Sequence, residues 1–482
     1  MKKIEFLKFG KLITLLLLFT GVHLNAQDAL DFNGSTDYIN AGNNASFNVG
    51  NTVTFEAWIY PEDLSSRFSL FSTRSENAAG SWQVEVGAGS GSSNVIAVTG
   101  VGTWVAESED NAITLNQWNH IAFVRDGTTG TGSCTFYVNG NQVALQSETA
   151  YTFIDNTSDK VICAGTNFGS LFNGKIDEVR IWNSTRTQDE IQQSIYGGLA
   201  GTETGLIAYY PMNEGSGTST TDNSSNSNTG TFIGSPTWIT ANIFPSEAGT
   251  QAEPYQIGSA KDLMWLAQNS DSWDSYFEQT ANIDMAAYAT WNSGEGFSPI
   301  GYDDVSTPMP FSGNYNGQYY YISNLTINRP SGSENQGLFG FTIGAVVTKS
   351  GVKDVTITGD NGVGALVGKA NNTVISECYS TGSVTGETNV GGLAGSTNSS
   401  ATIDNCYSLA NTTGTNTAGG LIGEHSSSAI NYSYAAGIVS GTSNPGGLVG
   451  VSNSSTTQNS FWDTQISTQA ISDGGTGKTT SK

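Results

Sequence analysis

The sequence predicts an all-β protein in two parts, an N-terminal antiparallel two-sheet jelly-roll sandwich and a C-terminal parallel β-helix with a short capping helix. Three observations predict it. Short runs of alternating apolar and polar residues crowd the first half, as strands with one buried face require. A phrase close to Gly–Leu–x–Gly returns around Leu338, Leu366, Leu393, Leu421 and Leu448, at steps of 28, 27, 28 and 27 residues. Such a fixed period means one supersecondary unit stacked on itself. Almost nowhere is there a helical period.

The chain opens with Lys2, Lys3, Lys8 and Lys11, an apolar run from Leu12 to Val22, and Leu24-Asn25-Ala26 before Gln27. This is the pattern of an export signal over 1–26, too short to span a bilayer comfortably. The mature chain is expected to be secreted or displayed at the cell surface, without membrane insertion once the signal is removed. The full chain has 18 basic and 42 acidic residues. Removing the signal leaves 14 against 41, a net charge of −27. That argues against nucleic acid and anionic membranes, both of which need clustered Lys and Arg.

Residues 28–240 form the first expected domain. Val53–Tyr60, Trp82–Val86, His120–Val124 and Thr135–Val138 alternate apolar with polar side chains. Asn139-Gly140 is a type I′ hairpin signal, since both residues tolerate positive φ. Thr187 with Glu190 predicts one short capped helix. Trp58, Trp118, Trp182 and His120 sit in strand phrases and are expected to pack. Trp82 and Trp104 flank Gly/Ser-rich loops and are the candidate sugar-stacking residues. Cys134 and Cys163 are a candidate disulfide, or else two buried thiols.

The order Leu30–Ile39, Phe55–Ile59, Trp118–Asp126, Phe136–Gly140 and Phe172–Trp182, followed by Gly205–Gly215, resembles the LamG-like and pentraxin-like (concanavalin A-like) jelly-roll family. The resemblance implies two curved sheets and binding to extracellular glycans or surface proteins. The family's calcium site carries over poorly. Glu76 and Asn77 could represent its first loop, but Ala164–Leu171, at the second, holds no carboxylate, whereas calcium takes six to eight oxygens. No cofactor is required on this reading, and Ca2+ is the one metal left open.

Residues 241–256 read as a linker and lead-in strand, 257–336 as the N-terminal cap and first rungs, 337–465 as the repeats, and 466–482 as a tail. Ser259 and Asp262 begin a capping helix with Leu263 and Leu266 on its apolar face. Ile375, Ile403 and Ile430 follow their leucines by nine or ten residues. Tyr379, Tyr407, Tyr434 and Phe461 follow by 13 or 14. Stacking turns such columns into ladders, with leucine and isoleucine inside. The repeats, with Pro254–Ile257, Ile283–Met285, Cys378-Tyr-Ser380 and Cys406-Tyr-Ser408, resemble proteins carrying the GLUG motif of bacterial surface proteins and adhesins. That implies a right-handed parallel β-helix. Ser433 and Ser460 stand where cysteine is usual, so Cys378 and Cys406 read as a column of small residues.

Catalytic chemistry finds little support in the sequence. No arginine follows Arg329, and Glu377 and Asp404 read as solvated turn residues. His120 and His425 are the mature chain's histidines and fall in different domains, so no triad or zinc cluster is available. Gly474–Thr479 lacks the first glycine of a phosphate loop and no helix follows. The expected function is non-enzymatic: adhesion or glycan recognition by a monomer, through the jelly roll, with the β-helix as stalk or second binding face. The alternatives are an accessory module or weak hydrolase or lyase of polysaccharide breakdown, and a structural fragment of a longer surface protein.

Overall fold

The computed structural model describes residues 28–73, 78–89, 91, 93–304, 306–332 and 334–481. The predicted signal segment lies outside them. No helix among the described residues is long and apolar enough to cross a membrane.

The first module is a sandwich of two antiparallel sheets. The first sheet runs in the order Asn141–Val143, Cys134–Val138, Asn119–Asp126, Thr52–Pro61, Asn173–Trp182, Asp28–Asn33 and Thr237–Thr240, with Leu206–Tyr210 also paired to Asn173–Trp182. The second runs Leu145–Glu148, Thr103–Ser108, Val95–Gly100, Trp82–Gly87, Arg67–Ser72, Lys160–Ile162, Tyr38–Gly42, Gly230–Ile233 and Ser219–Thr220. Phe55, Phe71, Val84, Val98, Phe123 and Ile176 fill the space between the sheets. The hairpin forms where predicted: Val138 pairs with Asn141, and Asn139 and Gly140 take φ of 49° and 75°. Helix α1 (Gln188–Ser194) starts on a complete capping box between Thr187 and Glu190.

Helix α2 (Ala260–Gln268) opens the second module and has its own capping box, Ser259 with Asp262. Parallel ladders then build the β-helix. On one face Val347, Ile375, Ile403 and Ile430 stack in register, all fully buried. Leu338, Leu366, Leu393, Leu421 and Leu448 are likewise fully buried, so the repeated leucine is the inward corner of each rung. Tyr379, Tyr407 and Tyr434 face outward with rings stacked 5.2 and 5.1 Å apart, and Phe461 continues their register. Such near-identical columns follow directly from the period, because each rung places the same residue type above the last.

The cysteine column has a hydrogen-bonding logic that the sequence did not reveal. The Cys378 N–H donates to Cys406 Sγ, that of Cys406 to Ser433 Oγ, and that of Ser433 to Ser460 Oγ. Sulfur and hydroxyl thus do the same work, satisfying a turn N–H that would otherwise be buried unpaired. Both cysteines are free thiols.

The two modules share a core. Trp58 is fully buried, with its ring against Tyr196 and Phe244, and it belongs to the core cluster of Ile257, Leu263 and Trp291 of the second module rather than to the one between the sandwich sheets. Its indole N–H donates to Ile195 O, and the half-buried Trp118 donates to Ala241 O. Tyr196 stacks on Trp291, and its hydroxyl meets that of Tyr288 at 3.1 Å. Gln268, at the end of α2, accepts from Tyr196 N and donates to Gln192 O.

Behind this junction the first sheet buries a charged cluster. Arg186 pairs with Glu56 at 2.8 Å. Arg180 pairs with Glu178 at 2.6 Å and also donates to the carbonyls of Ser194 and Gly197, anchoring α1. Burial pushes up the carboxyl pKa of Glu178 and, further, that of Asp177. His120 is 1% exposed, edge-on to Trp58, with Nε2 3.6 Å from Glu56, beyond hydrogen-bond reach. Burial, helped by the charges of Arg180 and Arg186, holds its pKa well below 6.5. The ring is therefore neutral at neutral pH, and its contact with Glu56 is not an ion pair.

That neutral ring sets a pH dependence. Below pH 6.5 the unfolded chain binds a proton that the folded chain refuses, so the His120 contribution to stability falls as pH falls. Between pH 7.5 and 5.5 the wild type should lose about 1.4 kcal/mol relative to His120→Gln in urea unfolding. Parallel losses in the two proteins would show that the ring takes up its proton inside the fold.

Candidate functional site

The outer face of the second sheet gathers polar side chains in register. Period-two pleating sends Trp82, Val84 and Val86 into the sandwich and leaves Gln83 and Glu85 on the opposite face. Cross-strand pairing then aligns two rows. One is Ser69, Glu85, Ala97 and Glu107. The other is Ser72, Gln83, Thr99 and Trp104. Gln83 Nε2 donates to Glu85 Oε1 at 2.5 Å, and Thr99 Oγ1 donates to Glu85 Oε2 at 2.9 Å. The turn Thr166–Phe168 closes over one end, with Thr166 N donating to Gln83 Oε1.

At the other end stands Trp104, 49% exposed. The Arg67 guanidinium lies over its ring, 4.7 Å from the centroid, and is ion-paired with Glu107. Gln146 donates to the other Glu107 oxygen at 2.7 Å. Arg67 is thus gripped through Nη2, while its buried Nε and Nη1 have no hydrogen-bond partner, and neither has Ser69 Oγ. Half-exposed Trp104, edged by this guanidinium, offers an aromatic surface against which a ring bearing hydroxyl or carboxylate groups can stack.

The structure separates the two candidate tryptophans. Trp104 is on the open face as expected. Trp82 is not a stacking platform: it is 3% exposed and lies flat against Phe153, centroids 4.7 Å apart. The alternation Trp82-Gln-Val-Glu-Val86 already required this, since Trp82 shares parity with two valines. Cys134 and Cys163 form no disulfide. Both are buried free thiols: Cys134 starts a strand of the first sheet, and Cys163 directly follows Lys160–Ile162 of the second. Glu76 and Asn77 lie outside the described residues. No group of three or more His, Cys, Asp or Glu among the described residues is arranged to hold a metal. Glu377 accepts from the Tyr319 hydroxyl and Asp404 from the Asn405 amide. Arg67, Gln83, Glu85 and Glu107 escaped sequence reasoning. Parity could have found Gln83 and Glu85, but the meeting of Arg67 with Trp104 depends on strand order.

Residues 33–192 match the laminin G model of the concanavalin A-like lectin/glucanases superfamily, so the first module is a concanavalin A-like domain. Among curated proteins, halomucin from Haloquadratum walsbyi is 32% identical over 190 residues. That alignment covers 39% of this chain and 2% of halomucin. Among solved structures, a proposed carbohydrate binding protein from Bacteroides ovatus is 24% identical at a TM-score of 0.37, covering 45% of this chain and 61% of that one. A heptameric SAP-like pentraxin from Limulus polyphemus is 14% identical at 0.28, covering 34% and 79%.

Proposed function

We propose that this chain is a non-catalytic glycan-binding protein of the cell exterior, and that it binds through the outer face of the second sheet. The lectin-type superfamily match supports the class of ligand. The observation that carries the site is the pairing of exposed Trp104 with an Arg67 that keeps two unpartnered donors. The indole would take the apolar face of a sugar ring, and Arg67, with Glu85 and Gln83 behind it, its oxygens. Export rests on the Lys-rich start and apolar run of residues 1–26, and adhesion is the role such binding would serve. No cofactor enters this scheme.

The test is binding of the full mature chain to a glycan array, with affinities then measured by calorimetry on the best ligand. Trp104→Ala and Arg67→Ala should each weaken binding by about 1–2 kcal/mol, roughly five- to thirtyfold. Ile471→Ala, in the exposed tail, should leave it unchanged. A chelator should have no effect. Full affinity in Trp104→Ala would move the site elsewhere.

A further inference from the structure

A second site is built by the repeat itself. In every rung the phrase Gly–Leu–x–Gly, with Ala365 for the first glycine at Leu366, turns the chain between two ladders, one through Asn361–Gly364, Thr388–Gly391 and Thr417–Gly419, the other through Val367–Asn371, Ala394–Asn398 and Ile422–Ser426. The closing glycine lies against the backbone of the neighbouring rung. A Cβ on Gly395 would sit 2.4 Å from Gly362 C and 2.5 Å from Gly368 O. With the ladders folded this tightly on each other, their outer sides make a groove of about 340 Å³ along the stack.

The lining of that groove is polar throughout. Lys369, Ser396 and Glu424 occupy one register column, one per rung. Asn371 and Asn398 make a second column beside it. Asn389 crosses the floor, its Nδ2 donating to Glu424 Oε2 at 2.9 Å. Lys369 is steadied by Asp303 at 2.8 Å. Asn335 is decisive: it lines the groove, is 5% exposed, and its Nδ2 has no hydrogen-bond partner. Asn371 Oδ1, also buried in the lining, is equally unpartnered. Unsatisfied donors and acceptors at this depth cost about 1–3 kcal/mol each unless a ligand or solvent meets them.

We propose that this groove is a second saccharide-binding site, which takes a hydroxyl-rich polysaccharide lying along the stack with about one sugar per rung. Amides, two hydroxyls, one ammonium and two carboxylates suit a ligand that both donates and accepts at each step. No group of three or more His, Cys, Asp or Glu among the described residues is gathered there to hold a metal. The repeat supports a chain rather than a small molecule. Equivalent atoms recur about every 4.8 Å along the stack, close to the advance of an extended pyranose chain per ring. The site stands apart from the jelly-roll face and does not depend on it.

The experiment uses the full mature chain carrying Arg67→Ala and Trp104→Ala, in affinity electrophoresis through gels loaded with soluble β-glucan, xylan, mannan or a polyuronate. Retardation by at least one polymer is expected. Adding Ser396→Tyr, which fills the groove from its lining, should weaken it at least tenfold with the melting temperature kept. Should that variant fail to fold, Lys369→Ala with Asn398→Ala gives the same reading. A hexasaccharide should compete at least tenfold better than a disaccharide. No retardation by any polymer, or retardation indifferent to both groove variants, overturns the proposal. Failure of the jelly-roll reading shows separately, as wild-type binding unaffected by Arg67→Ala and Trp104→Ala.

Discussion

Replacing Gly395 by valine should abolish cooperative folding of the middle rungs. The new Cβ would meet three backbone atoms at once: Gly362 C, Gly368 O and Val363 N, all within 2.5 Å. A flexible side chain could swing aside, but these atoms are backbone in two ladders of the preceding rung. Overpacking usually costs about 1–3 kcal/mol, and a clash against backbone lies at or beyond the top of that range. Each rung is supported only by its neighbours, so the loss should spread along the stack. Circular dichroism should show a lowered, broadened melt, and brief proteolysis should cut within the repeats. Gly130, where an added methyl would meet nothing within 4 Å, provides the control, and Gly130→Ala should shift stability by under about 0.5 kcal/mol. A Gly395→Val protein that melts like the wild type would mean the corner is much looser than these distances imply.

Arg180→Met should destabilise the jelly roll by about 3–5 kcal/mol, as breaking one side of a buried ion pair does. Arg180 is 1% exposed and serves three partners: Glu178, the Ser194 carbonyl and the Gly197 carbonyl. Removing it leaves a carboxylate and two carbonyls without their donor. It also leaves Glu178 next to Asp177, whose pKa burial and that neighbour already raise. Pairing Arg180→Met with Glu178→Gln should recover a good part of the loss, because the amide removes the stranded charge and can still accept from Tyr209. Urea unfolding of the single and double variants measures both numbers. Equal destabilisation in the two would show that packing, not charge, holds this corner.

Much of the scaffold was legible because it depends on local pattern. The leucine and isoleucine columns, the Asn139-Gly140 turn and both capping boxes need only neighbours in sequence or a fixed period. The binding face was legible in part. Trp104 was visible as an aromatic beside a Gly-rich turn, whereas Trp82 was misplaced by weighing its loop above its parity in the strand. Arg67 could not be foreseen, because its strand reaches that of Trp104 only across two others. Cys134 and Cys163 turned out to be the two buried thiols of the alternative reading, and which sheet each sits by could not be read from the sequence. The groove depends on how sharply a glycine corner closes, and that angle is set by backbone contact between rungs.

The burial of Trp58 and Tyr196 among side chains of the second module bears on how this protein can be dissected. A cut at residue 256 would strip the cover from both, and from Ile257, Leu263 and Trp291 on the other side. Each fragment would present a bare oily wound rather than a finished surface, and would tend to clump. Any activity missing from such fragments would report that wound, and nothing about where the intact molecule holds its ligand.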